Sequence, residues 1–260
     1  MKARFLALAA LVLGMVSCQQ DFDGVAPVGG EVDFQLTVAA PELGATRADN
    51  DGDEQRGHDS AYGAIDYLTD WSEVNLRYTL EVYDVIRNEA GEVVGLSETP
   101  VKDRMTQVVD EYTPVSFDLR LVPNRKYRFV VFADFVEDGA ATAWSEADKL
   151  TKDGLNHRIG ATLANIELIN EDINDEASDA YFAFKHVVPG NNTHNTDAIT
   201  LTRPYGKLRV VATDLHELNL NVKPGSVKVV YNAYNANTFN AVEGTIAGEH
   251  ATNEFDYNYV

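Results

Sequence analysis

Few side chains in this 260-residue sequence have both the type and the spacing to do chemistry. The single cysteine, Cys18, lies outside any plausible folded domain, which argues against a buried core residue. Arg47, in Ala45-Thr46-Arg47-Ala48, is an isolated basic residue ahead of a polar, acidic stretch, which is what an Arg-specific protease needs. An ordinary linker arginine fits the same position, and both readings stay open. Asp49, Asp51 and Asp53 have the one-apart spacing of calcium ligands, but Glu54 stands where an EF-hand needs glycine and Ser60 where it needs glutamate. A solvated charge run is the preferred reading. His58, His157, His186, His194, His216 and His250 are scattered singly. His186 and His194 could meet across Pro189-Gly190-Asn191-Asn192, yet no third ligand is spaced to close a zinc site. Asp134 with Glu137, and Asp172 with Asp175, imitate a glycosidase dyad in a chain too rich in carboxylates for the pairing to carry weight. There is no Gly-rich phosphate loop, nucleophile elbow or His-Glu-x-x-His. No enzymatic activity, cofactor or metal is expected.

The elements that would position these residues begin with Met1-Lys2-Ala3-Arg4, a basic start, followed by the nearly unbroken apolar run Phe5 to Val16. That run is too short to span a bilayer and has the flanks of an export signal, residues 1–17. Its end, Leu13-Gly14-Met15-Val16-Ser17-Cys18, resembles the lipobox of bacterial lipoproteins. The resemblance implies that Cys18 is acylated and becomes the mature N-terminus. Residues 18–30, with Asp21, Asp23, Pro27, Gly29 and Gly30, read as a flexible leader. Its acidic residues resemble the signal that sends such lipoproteins to the outer face of the outer membrane, although a solvated linker would look similar.

A net charge of −20, from 41 acidic and 21 basic residues, disfavours nucleic acid and anionic head groups as partners. Hydrophobic residues at 45% suffice for a sizeable core. With no second cysteine there are no disulfides, so stability must come from packing. No second stretch is apolar enough to cross a membrane, which leaves the lipid as the only anchor.

The remainder reads as strands. In Glu31 to Val38, Val32, Phe34, Leu36 and Val38 alternate with polar residues, the period of a strand with one buried face. Val74, Leu76, Tyr78, Leu80 and Val82 alternate likewise, with charged residues expected outward. Thr113 to Val122 forms another run, joined by a Pro123-Asn124 turn to Lys126 to Asp134. The latter ends in an apolar stretch that suits a strand covered on both faces. Further strands are expected at Ile199 to Pro204, Lys207 to Thr213 and Val227 to Tyr231, and a short helix around Trp144 to Lys152. The 12 tyrosines and 11 phenylalanines fall mostly at alternating strand positions, where core is the default and a sugar-stacking platform the minority reading. The expected class is all-β, a transthyretin-like or immunoglobulin-like β-sandwich over residues 31–188, with a second β-domain over 199–260.

The order of features resembles the fimbrillins of gut and oral anaerobes, the subunits of type V pili. The residues that carry the resemblance are the signal ending at Cys18, the strand Val32 to Val38, and Ala45-Thr46-Arg47-Ala48. Leu76 to Tyr83, Arg120 to Ala133 and Arg203-Pro204-Tyr205-Gly206-Lys207-Leu208-Arg209-Val210 add to it. The resemblance implies an exported outer-membrane lipoprotein whose first strand, within residues 31–47, is cut away after Arg47 by an Arg-specific surface protease. Removing Val32, Phe34, Leu36 and Val38 would bare an apolar groove, and a strand from another pilin subunit would refill it. The implied product is a homo- or hetero-polymeric fimbrium that contributes to adhesion. Family members usually carry a second β-domain whose C-terminal strands supply the donor. Here Phe255-Asp256-Tyr257-Asn258-Tyr259-Val260 starts as a strand and stops within it. Either the chain is a shortened member or the sequence lacks its C-terminal part; truncation is the expectation, and Phe255, Tyr257 and Tyr259 could themselves line a donor strand. Asp59-Ser60-Ala61 resembles the O-glycosylation motif of these bacteria, which makes Ser60 a candidate acceptor. The competing reading is a monomeric surface lipoprotein that binds glycans.

Overall fold

The computed structural model describes residues 30–41, 74–140, 153–169, 179–204, 226–230, 236–248 and 254–258. The signal, the leader before Gly30 with Cys18, the Arg47 loop with Asp49, Asp51 and Asp53, Ser60, the expected helix around Trp144 to Lys152, the Asp172 and Asp175 pair and the expected strand Lys207 to Thr213 all lie outside those residues. Among the described residues the chain is all-β, with no helix.

Strand β1 (Val32–Val38) is the middle strand of a three-stranded sheet, between β5 (Val115–Leu121) and β10 (His194–Ile199). Both β1 and β5 bury every second residue, as the period of a pleated strand requires when one face meets a core. A second sheet runs through β2 (Val74–Arg87), β6 (Tyr127–Glu137) and β9 (Ala180–Val187). On its far edge, β4 (Met105–Val109) pairs with the first part of β2 and β3 (Val93–Leu96) with the last. The two sheets face each other as a β-sandwich. Phe34, Leu36, Val38, Phe117 and Leu121 from one pack with Leu76, Tyr78, Leu80, Phe129, Val131 and Phe135 from the other.

The second sheet is buried on its other face as well. There β7 (His157–Ile159), β8 (Ile166–Leu168), β12 (Thr238–Asn240) and β13 (Thr245–Ala247) form a third layer. Its Ile159, Leu163, Ile166, Phe239 and Val242 pack against Tyr83, Val130 and Phe132. The double burial of β6 is what its apolar stretch anticipates. For β2 the expectation is corrected. Arg77, Thr79 and Glu81, placed outward by alternation, are buried because the third layer covers their face. The expected strand Ile199 to Pro204 is displaced toward the N-terminus: β10 ends at Ile199, and Thr202 makes only an isolated bridge to Phe182.

The later part of the chain divides its pairing. Ile199 and Leu201 join the sandwich core, and β12 pairs with β8. Strands β11 (Ser226–Val230) and β14 (Glu254–Asn258) form a two-stranded antiparallel sheet. The Pro123-Asn124 turn is as expected, with Asn124 in the left-handed region at φ 60°. The Asn124 N–H donates to Pro189 O (2.8 Å) and its side-chain amide to Asn191 Oδ1 (2.8 Å). These two bonds tie the end of β5 to the loop that leads into β10.

Candidate functional site

Strand β1 is bonded along both edges. It pairs antiparallel with β5 from Val32↔Leu121 to Val38↔Val115, and parallel with β10 from Asp33↔His194 to Val38↔Ile199. Val32, Phe34, Leu36 and Val38 all point into the core and are almost wholly buried; Leu36 and Val38 have no exposed surface. The Phe34 ring meets Phe129 edge-on, with 5.3 Å between centroids. Without this strand, β5 and β10 would each lose a row of backbone partners and the core would open along its length.

The outer face of β1 is polar and is matched position by position. Lys102 Nζ donates to Glu31 Oε1 (2.5 Å), and Arg120 lies 3.7 Å from Asp33. The Gln35 amide donates to Asp118 Oδ1 (3.0 Å), and the Thr37 and Ser116 hydroxyls are 3.4 Å apart. These contacts are exposed, so each contributes little, on the order of a few tenths of a kcal/mol. A shallow recess at this end of the sheet is lined by Asp33, Asp118, Arg120 and His194. Val101 and Ser97 extend the rim of the neighbouring sheet through backbone bonds to Val82 and Asp84.

A second polar cluster, unforeseen from the sequence, lies between the central sheet and the third layer. Arg77 and Asp134 form a two-pronged pair: Nε to Oδ1 at 2.9 Å and Nη2 to Oδ2 at 2.6 Å, at 2% and 0% side-chain exposure. Beside them His157 is buried edge-on against Phe132. Burial holds its imidazole down to a pKa of about 4; the Arg77 charge pushes the same way and Asp134 opposes. Glu81 accepts from Arg104 Nε (2.7 Å), Tyr83 O–H (2.5 Å) and the Leu163 N–H (2.8 Å). Burial, and then the Glu81 charge, raise the Tyr83 phenol far above its ordinary value. Arg104 also donates to the Gly160 and Ala161 carbonyls, so this cluster fastens the 160–163 turn to the sheet.

The cluster's hydrogen bonds attach the third layer to the central sheet. Asp134, half of the imitation glycosidase dyad, is spent on Arg77, while its nominal partner Glu137 sits exposed at the strand end. His186 and His194 are likewise separated in role. The first accepts from Arg128 Nε (3.2 Å) and the second lies on β10 beside β1. Among the described residues no group of three His, Cys, Asp or Glu is placed to hold a metal ion, and no helix is long and apolar enough to cross a membrane. The signal that could have exposed the buried pairs was the spacing itself. Arg77 and Glu81 lie on the same alternate face of β2 as Tyr83, and Asp134 interrupts an apolar run on β6.

The fold defines the class: an all-β sandwich protein in which β1 is an apolar-faced strand bonded along both edges. Within that class the chain belongs to a family of unknown function, DUF6562, which matches residues 26–260. No curated protein and no solved structure matches the chain.

Proposed function

We propose that this protein is a structural subunit or anchor of a cell-surface fimbrium, exported as a lipoprotein through Cys18 and assembled by strand exchange at the β1 groove. Cleavage after Arg47 would sever residues 18–47, with β1, from the body of the sandwich; a strand from another subunit then takes the vacated place. The observation that supports this reading is β1 itself. It is a seven-residue strand at the start of the fold, it has a wholly apolar inner face, and both its edges are hydrogen-bonded to strands far away in sequence. Its departure would part β5 from β10 and leave between them a gap with two unpaired edges and an apolar floor, a site shaped for another strand.

The test is to treat the purified precursor with an Arg-specific protease. Release of the segment ending at Arg47, followed by oligomer ladders that persist in cold SDS, is the expected result. Complete cleavage that leaves only monomers would overturn the proposal. Intact-mass measurement of the same material reads acylation at Cys18 and any glycan at Ser60.

A further inference from the structure

The exposed apolar side chains of this protein are not spread evenly. Of the nine large ones among the described residues, six (Ile86, Val93, Val94, Val101, Val122 and Val188) gather at one end of the sandwich. The strand pairing places them there. β2 runs on past Asp84↔Tyr127 into its hairpin with β3, and Tyr127 pairs with Val187, one residue before Val188. Val122 follows Leu121, the partner of Val32, and the Asn124 bond to Pro189 ties the two loops together. Val101 joins them through its N–H to Val82 O, and the next residue, Lys102, bonds Glu31. The other three, Phe184, Val230 and Ile246, belong to β9, β11 and β13.

Apolar exposure concentrated in this way marks a surface that meets something less polar than water. The course of the chain says what lies within reach. β1 begins at this end, and only residues 19–30 separate Cys18 from Glu31, so a lipid on that cysteine is at most about 45 Å away. We propose that this end of the sandwich rests on an uncharged or zwitterionic lipid surface in the anchored protein, with β1 carrying the chain toward Arg47 to the far end. This inference rests on the acylation of Cys18 proposed above. Over its seven residues β1 spans about 20 Å, and it leaves the sheet at Val38, where the Ala39 N–H bonds Ile199 O at the end away from the lipid. The net charge of −20 argues against an anionic surface. Pairing of Lys102 with Glu31, Arg120 with Asp33 and Arg125 with Asp84 offsets part of that charge at this end. Each valine contributes little, but the tether keeps all of them at high local concentration, so a weak contact is populated.

The experiment couples the chain from Cys18 onward to phosphatidylcholine vesicles through a maleimide lipid at that residue, the only cysteine. The tether is then supplied whether or not the cell acylates Cys18, which intact-mass measurement of native material reads separately. Hydrogen exchange is compared between the coupled and the free chain. The amides of Val93–Leu96 and of residues 190–192 should exchange about tenfold more slowly on the vesicles, and those of residues 137–140 at the far end should not change. Val93→Asp with Val94→Asp should abolish the slowing while the chain stays coupled and its melting temperature holds. Val188→Asp, outside the hairpin, should reduce it too. Unchanged exchange at Val93–Leu96, equal slowing at residues 137–140, or slowing that survives the aspartates overturns the proposal. So does slowing that appears only at high protein density, which marks contact between copies.

Discussion

The two faces of the central sheet are held by different physics. Toward β1 the interface is mainly apolar, built from side chains that alternate regularly in β1, β5 and the facing positions of β2 and β6, with the Arg203–Asp179 pair beside Tyr181 on the same face of β9. Toward the third layer the interface has an apolar centre, but Arg77–Asp134 and Glu81–Arg104 are sealed into it. An apolar face accepts any strand of suitable shape and period, because hydrophobic burial is not directional. A buried ion pair accepts only its own partner, since a misplaced or missing charge is left desolvated. The side of the molecule proposed to exchange a strand is thus the side whose core does not specify the occupant, and the side with specific charges is the one that stays put.

Deleting one charge is the most severe way to probe this contrast. Arg77→Met leaves Asp134 buried without its two-pronged partner and should cost about 3–5 kcal/mol in urea unfolding. Loss below 1 kcal/mol would mean that the third layer is not held by this pair. On the apolar side, Leu36→Ala should cost about 3 kcal/mol through lost burial and the cavity left behind. It should also speed release of cleaved β1, an effect that Arg77→Met should not reproduce.

Acid should discriminate between the faces as well. The His157 pKa of about 4 in the fold lies below the ordinary 6.5, so the neutral form is the one the fold accommodates. The associated stability is fully present above pH 6.5 and is lost as pH falls from 6.5 toward 4, amounting to about 3 kcal/mol. The difference between the wild type and His157→Gln in a pH series of unfolding curves should show this dependence. Parallel curves across that window would remove His157 from the account. The smallest effect belongs to the outer ladder. Gln35→Ala, which deletes one exposed cross-strand bond to Asp118, should change stability by less than about 1 kcal/mol. A larger loss would show that the polar face carries a substantial share of the hold on β1.

How much of this was legible beforehand follows from period and cover. β1, β5 and the double-sided β6 could be read directly, because each has the alternation or apolar run that its burial demands. β2 was misread on one face: alternation gives the faces of a strand but not what lies against them, and the third layer that covers Arg77 and Glu81 comes from residues far along the chain. The parallel pairing of β1 with β10 was likewise invisible, since register between distant strands leaves no local trace. In β10 the alternating residues His194, Thr196 and Ala198 are small or polar, so its strand pattern is weak and the boundary was placed too late.

The Asn124 turn bears on the mechanics of the gap. By bonding to Pro189 and Asn191, it braces the two walls on either side of β1 against each other at one end. In the proposed strand exchange, that brace would hold the ends of β5 and β10 at their present separation, much as a spacer keeps a slot at its cut width. An entering chain would then bear the cost of its own ordering but not of prising the walls apart, and would thread toward a fixed end stop.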